Sequence, residues 1–386
     1  MARAMFGGLL TSALLAALWY SRHSEQPSSP AVAPAAAPAS AAGTTLPGGV
    51  SVQAGAPPEA PAGGDSAALR RERLRLAEER LATYRAFVKY PPGSRPAREN
   101  PDQLRPRDPV VRGLPLSLGG QPSQHVGLKL RQDKMAVIGG DTITLGIRCE
   151  DTLGHALPCA VQSATLSALP GDNGPPPGQR AVSFAGSQTP GQEGEQVATF
   201  RPLDLKIVDK AWPLRVDVTL RAGDDPSEQG SALFDFMYTP DPPAIPTGRV
   251  REAMVDGSLV LYYTLDVRRA GRYVLHTRVD DERGQPVAFL EWNDLLPVGV
   301  KEVPMTVFGK LVLDEKPAMP LKARDFDGFL LKEQVDPDRE HIPPLGGYHY
   351  TTQSYSLRVF SPREYESEER TRMEQEYERD VDRARQ

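Results

Sequence analysis

The side chains of this 386-residue chain best suited to chemistry are acidic and clustered. Asp280, Asp281 and Glu282 are consecutive, and Asp325, Asp327, Asp336 and Asp338 follow in a second irregular stretch. Loops of this kind supply the several oxygen ligands that calcium takes. Asp280, Asp281, Asp325, Asp327, Asp336 and Asp338 are therefore candidate calcium ligands, although neither run has the EF-hand spacing. The competing reading is solvated turns. The six histidines are His23, His125, His155, His276, His341 and His349, and none falls in an HExxH or related ligand spacing. His341 and His349 flank a proline–glycine loop and are the one pair that could share a metal; surface positions are the alternative. No nucleophile elbow, P-loop or dinucleotide fingerprint occurs. No catalytic residue is assigned, and a non-enzymatic protein is expected. A metal-dependent enzyme joining His341 or His349 to the acidic loops is the remote alternative.

The elements that must carry these residues are strands. In DTITLGIRCE, Ile143, Leu145, Ile147 and Cys149 share one face. LRVDVTLRA alternates without a fault, placing Leu214, Val216, Val218 and Leu220 inward. SLVLYYTLDV does the same with Leu259, Leu261, Tyr263, Leu265 and Val267, and RYVLHTRV with Tyr273, Leu275 and Val279. A period of two with one apolar face reads as half-buried antiparallel strand. His276 then points away from the core. Turn-rich spacers separate the strands, and no helix-length apolar period interrupts them, which disfavours an α/β enzyme fold. Two sandwich domains are expected, 126–240 and 241–360, with TPDPPAIP as the hinge. The step Gly271-Arg272-Tyr273 opens a strand where immunoglobulin-like folds often place a corner tyrosine. Trp212 and Trp292 sit in strand contexts and read as core.

Cys149 ends one strand and Cys159 begins another. A pair ten residues apart suits one disulfide in an oxidising compartment; two buried free thiols are the alternative.

Outside the strands the chain changes character repeatedly. Residues 4–20, AMFGGLLTSALLAALWY, carry no charge and have an interfacial aromatic pair at their end. They read as an uncleaved signal anchor within 1–23, because Leu18, Trp19 and Tyr20 make a poor cleavage site; a cleaved signal peptide is the alternative. Residues 24–66 are nearly all Ala, Pro, Ser, Gly and Thr, a composition that cannot bury enough apolar surface to fold. They read as a tether. A basic amphipathic helix is expected over 67–90, with Leu74, Ala77, Leu81, Tyr84 and Val88 as one stripe, packed on its neighbour domain or self-associating. Residues 91–125 read as a proline-rich extended strap. Ser361-Pro362-Arg363-Glu364 is a capping box that starts a charged helix over 361–386. Its narrow stripe of Met373, Tyr377 and Val381 is a candidate partner-binding face, the basic helix of the same chain being one partner.

The run from Tyr238 to Tyr355 resembles the bacterial envelope proteins grouped as "choice-of-anchor" domain proteins. The resemblance rests on Asp256-Gly257-Ser258-Leu259, Gly271-Arg272-Tyr273, Pro286-Val287-Ala288, Phe308-Gly309-Lys310, and Asp336-Pro337-Asp338-Arg339-Glu340 with Tyr348 and Thr351-Thr352. It implies an exported, envelope-held β domain and no catalytic residues. Such proteins are often anchored at the carboxyl end, whereas the apolar run here is at the amino end.

Taken together, the sequence predicts a mainly β protein. Two immunoglobulin-like antiparallel β-sandwiches carry an N-terminal membrane helix, a Pro/Ala-rich linker and flanking amphipathic helices. The expected location is the bacterial inner membrane, single-pass, with the bulk in the periplasm or at the cell surface. Partners would be other envelope proteins or a second copy. A polysaccharide- or peptidoglycan-binding module is the alternative. A net charge of −5 gives no basis for nucleic acid.

Overall fold

Alternating strands need a second layer to cover their apolar face, and two such pairings build this molecule. A computed structural model describes residues 64–118, 121–171, 176–208, 210–223 and 229–386. The expected membrane helix and the linker up to residue 63 lie outside the described residues. Among the described residues no helix is long and apolar enough to cross a membrane.

The described residues begin with helix α1 (Gly64–Phe87) and strand β1 (Ser94–Pro96). The first sandwich follows: β2 (Val110–Leu118), β3 (Gln121–Gln132), β4 (Ala136–Ile138), β5 (Ile143–Glu150), β6 (Ala156–Leu157), β7 (Cys159–Ala168), β8 (Arg180–Ala181), β9 (Ala185–Gly186), β10 (Gln196–Phe200), β11 (Trp212–Ala222) and β12 (Gln229–Thr239). The second comprises β13 (Ala244–Val255), β14 (Ser258–Val267), β15 (Gly271–Asp280), β16 (Pro286–Leu296), β17 (Gly299–Val307), helix α2 (Gly309–Glu315), β18 (Lys322–Leu331), β19 (Arg339–His341) and β20 (Leu345–Thr351). Helix α3 (Glu368–Arg385) ends the chain.

In the first sandwich the ladder runs β8-β7-β11-β12-β2-β3-β5-β10-β9. Among the described residues β12 meets β2 only at Ser231 and Ser117, and there the ladder folds into two facing halves. The residues expected to point inward do so: Ile143, Leu145 and Ile147 from one half pack with Leu214, Val216, Val218 and Leu220 from the other. All pairings are antiparallel except that of β4 with β12. Cys149 and Cys159 form a disulfide with Cα atoms 5.5 Å apart. Cys149 lies on β5 and Cys159 on β7, so the bond ties the two halves together on the side away from the β12–β2 fold.

In the second sandwich, β1-β16-β15-β18, with β19 and β20 both paired to β18, faces β13-β14-β17. Leu259, Leu261, Tyr263, Leu265, Tyr273, Leu275 and Val279 fill the core between them. Trp212 is buried in the first core and Trp292 packs on the second.

The domain order departs from a simple linear reading in one respect. Residues 91–125 are not all strap. Ser94–Pro96 pair with Ala288–Leu290 and complete the second sandwich, while β2 and the start of β3 belong to the first. The first sandwich is thus inserted into the second, between β1 and β13. The signal was hidden because Val110–Pro115 are all exposed and carry Gly113 and Pro115, so they show no apolar alternation.

Helices α1 and α3 pack antiparallel. The rings of Tyr84 and Tyr377 are 5.1 Å apart, Arg85 meets Glu378 at 2.6 Å, and Arg385 meets Glu78 at 3.4 Å. Leu74, Ala77, Leu81 and Tyr84 are the half-buried positions of α1, and Val381 is buried. Of the stripe offered to a partner or to this chain's own basic helix, Tyr377 lies against Tyr84 of α1, Val381 is buried and Met373 is half-buried. The start of α3 also differs from expectation. Ser361 does not cap a helix: its amide donates to Gly257 O at 2.9 Å, and Tyr365 N donates to Lys89 O at 3.1 Å. These bonds hold the segment out of helical geometry. Ser367 is the cap, accepting from Arg370 N at 3.1 Å. Gly257, at φ 72°, lets Ser361 approach where a Cβ would sit 2.6 Å from it.

Candidate functional site

The outer face of β15, β16 and β18 gathers most of the chemistry-bearing side chains. Alternation on β15 puts Tyr273, Leu275 and Val279 in the core, so His276, Arg278 and Asp280 emerge on the other side. Neighbouring strands add Phe289 and Glu291 from β16, and Arg324, Asp327 and Phe329 from β18.

Arg278 is 1% exposed, among the largest fully buried side chains described. A buried guanidinium must find acceptors for its donors. Its Nε donates to Gln103 O at 2.7 Å, its Nη1 to Asp325 O at 2.7 Å, and the same nitrogen bonds the Asp327 carboxylate. Arg324 repeats the pattern. Its Nη1 donates to Leu104 O at 2.7 Å, and its Nε to Asp280 Oδ2 at 2.7 Å. Two adjacent carbonyls, Gln103 and Leu104, thereby fasten the segment between β1 and β2 across this face. The strap lies on the second sandwich.

His276 stands between two carboxylates, with Nδ1 3.2 Å from Asp327 Oδ1 and Nε2 3.5 Å from Glu291 Oε2. Burial works against the imidazolium, but the bonds to Asp327 and Glu291 outweigh it and raise the pKa. Asp327 is lowered below the usual carboxylate range: burial opposes the charge, and His276 and Arg278 more than offset it. His276 also stacks on Phe289 at 5.4 Å, and Phe329 continues the row to His341 at 5.7 Å. Burial, then the charge of Arg339, pushes His341 down to about 4. Phe289 is buried, so the row is covered and does not form an open stacking platform.

The sequence-nominated carboxylates part company here. Asp280, Asp325 and Asp327 do converge, but on guanidinium groups. Asp280 Oδ2 also accepts from Tyr348 at 2.7 Å, and Asp325 Oδ1 accepts from Gly347 N at 2.8 Å. Asp281 orders the β15–β16 turn by accepting from the amides of Arg283 and Gln285, both at 2.8 Å. Asp336 abuts Gly171 of the first sandwich, and Asp338 lies 3.6 Å from Arg339. Among the described residues no three His, Cys, Asp or Glu side chains group as a metal shell. His349 turns to Tyr263 at 2.8 Å, while His341 faces Phe329, so the two engage different partners. Arg278 and Arg324 were missed from sequence. Their one signal was a charged residue at an outward strand position, which ordinarily means solvent.

The face therefore acts as a fastening. It holds a histidine, two guanidiniums and their carboxylates in fixed pairs, and through the guanidiniums holds the strap.

No family model matches the chain, and no curated protein matches it. Among solved structures it is similar to a DUF4785 family protein from Legionella pneumophila, at 17% identity and a TM-score of 0.36. That match covers 61% of this chain and 58% of the other. It is also similar to E. coli alpha-2-macroglobulin in its native conformation, at 15% identity and 0.26, over 61% of this chain and 15% of that one. Dimeric latent PorU from Porphyromonas gingivalis matches at 12% identity and 0.17, over 54% and 18%. The chain thus spans less than two thirds of the length of each, and no function is carried across.

Proposed function

We propose that this chain is a membrane-tethered protein of the bacterial envelope, held in the periplasm, that works by protein contact and not by catalysis. Its sandwiches present faces and edges to other envelope proteins, and the segment 24–66 sets their reach. The observation that carries this reading is the Cys149–Cys159 disulfide, because such bonds persist in oxidising compartments and are rare in the cytosol. The uncharged run 4–20 and the proline-rich stretch behind it support the same location. The commitment of Asp280, Asp325 and Asp327 to arginines supports a scaffold over a metal enzyme.

We further read the sandwiches as immunoglobulin-like. Tyr273 OH donates its one proton to Arg269 O at 2.7 Å, with Pro243 O also 2.9 Å away, and a bond to a carbonyl a few residues upstream is that of a corner tyrosine. That reading accords with the envelope-protein resemblance of the run from Tyr238 to Tyr355.

The test uses intact cells. A thiol reagent that cannot cross the inner membrane should label the partly exposed Cys159 only after reduction, and the chain should fractionate with membranes. Cysteines found reduced, or a chain recovered with cytosolic proteins, would overturn the location. Cross-linking in the same cells should trap a defined protein partner.

A further inference from the structure

We propose that the free edge of β2, Val110 to Pro115, is a strand-addition site for an extended peptide of another protein that reads apolar–x–acidic–x–apolar. This deepens the contact reading above and names its surface; it does not depend on where in the cell the chain resides.

The case starts from unpaired backbone. β2 pairs with β3 along its length, but among the described residues its other edge meets β12 only at Ser117. From Val110 to Pro115 every residue is exposed, including the large apolar Val110, Val111 and Leu114. A Cβ built on Gly113 would have nothing within 4 Å. A row of free N–H and C=O groups is complementary to one kind of object, another extended backbone.

Several of the other strand edges are blunted in the ways sandwiches usually blunt them. β6, β8 and β9 have two residues, and β1 and β19 have three. β13 is broken by an irregularity between Pro246 and Val250, and β20 by register shifts on either side of Arg324 of its neighbour. β17 carries an exposed Pro304. β2 lacks these devices until Pro115.

The side chains then say what fits. Val110, Arg112 and Leu114 lie on one face of β2, by their pairing with Gln132, Leu130 and Leu128. Arg112 is exposed and has no bonded partner among the described residues. A strand laid alongside would place apolar side chains next to Val110 and Leu114 and an acidic one next to Arg112. A second copy fits less well. The antiparallel register that matches Val110 to Leu114 brings Arg112 opposite Arg112.

The probe is a capped peptide, Thr-Val-Thr-Glu-Thr-Val-Thr, with a companion carrying Lys in place of Glu. Both are titrated into the full chain, with fluorescence anisotropy for binding and amide hydrogen exchange for location. The expected result is saturable binding of the glutamate peptide, slowed exchange at 110–114, and weaker binding of the lysine peptide by about fivefold, the worth of one exposed ion pair. Arg112→Glu, an exposed substitution that leaves the fold intact, should reverse that preference. Absence of saturable binding, protection elsewhere than 110–114, or an unchanged preference in Arg112→Glu would overturn the proposal. So would binding that appears only when residues 1–63 are removed, which would assign the edge to the chain's own segment. A full chain that sediments as a dimer, and as a monomer once Val111→Lys is introduced, would assign it to a second copy. A cytosolic chain that still bound the peptide would leave this proposal standing and remove only the location; a periplasmic chain with an inert edge would do the reverse.

Discussion

The Nε of Arg278 lies 2.7 Å from the carbonyl oxygen of Gln103, across 175 residues of sequence. The bond joins the strap to the outer face of the second sandwich, and Arg278 is buried beneath it. Removing one member of a buried charged pair leaves its partners unsatisfied and costs about 3–5 kcal/mol. Arg278→Met should therefore lower the stability of the second sandwich by about that amount. Equilibrium unfolding in urea would show it, together with faster amide exchange in residues 100–108. A variant with native exchange in this segment would show that the guanidinium does not hold the strap.

Stability should depend on pH through two histidines with opposite signs. His341 has a folded pKa of about 4, below its ordinary value. The unfolded chain takes the proton first, so the contribution of His341 is complete above about pH 6.5 and declines as pH falls toward 4. The loss should be on the order of 2–3 kcal/mol, and His341→Gln should flatten it. His349, also lowered by burial, acts in the same direction. His276 has a raised folded pKa, so its contribution is complete below its unfolded value and fades as pH rises through the folded one. His276→Gln should thus destabilise more under mildly acidic than under alkaline conditions. Urea midpoints measured across this range would check both signs.

Asp280, Asp325 and Asp327 are held by guanidinium groups, so calcium has no free carboxylate cluster to recruit there. The melting temperature should be equal in calcium and in chelator. Asp280→Asn should still destabilise by about 1–3 kcal/mol, because its Oδ2 accepts from both Arg324 and Tyr348. A calcium-dependent melt that vanishes in Asp280→Asn would instead make the loop a cation site.

Deleting residues 363–386 should cost more helix than the 18 residues of α3. An isolated helix is marginal in water, and among the described residues α1 packs through Tyr84 on Tyr377 of α3. Circular dichroism of the truncated chain would check this. A loss limited to α3 would show that α1 stands alone.

Much of this was legible in the residues. Wherever a strand is covered on one face only, alternation appears in the sequence, and the inward positions of β5, β11, β14 and β15 could be read directly. The stripe of α1 was legible for the same reason, with a period near four. Other features were not. Val110–Pro115 of β2 lie exposed on both faces, so no apolar period marks them. Helix α2 has seven residues and no side-chain cap at Phe308, too little pattern to stand out. The capping box at Ser361 is locally sound but loses to bonds with Gly257 and Lys89, which are distant in sequence. The fastening face was unreadable because its pairs form across strands: Arg324 meets Asp280, and Arg278 meets Asp327, after 44 and 49 residues. Linear spacing carries no trace of such pairing.

The insertion of the first sandwich also sets an order of assembly. Its strands, from Val110 to Thr239, are contiguous and close on themselves, with a disulfide whose two cysteines are ten residues apart. The second sandwich cannot close until Ala288–Leu290 have been synthesised to meet Ser94–Pro96. During synthesis, β1 must therefore wait while an entire domain folds between it and its partner. The pairing of α1 with α3 likewise waits for the carboxyl-terminal residues that carry Tyr377 and Glu378.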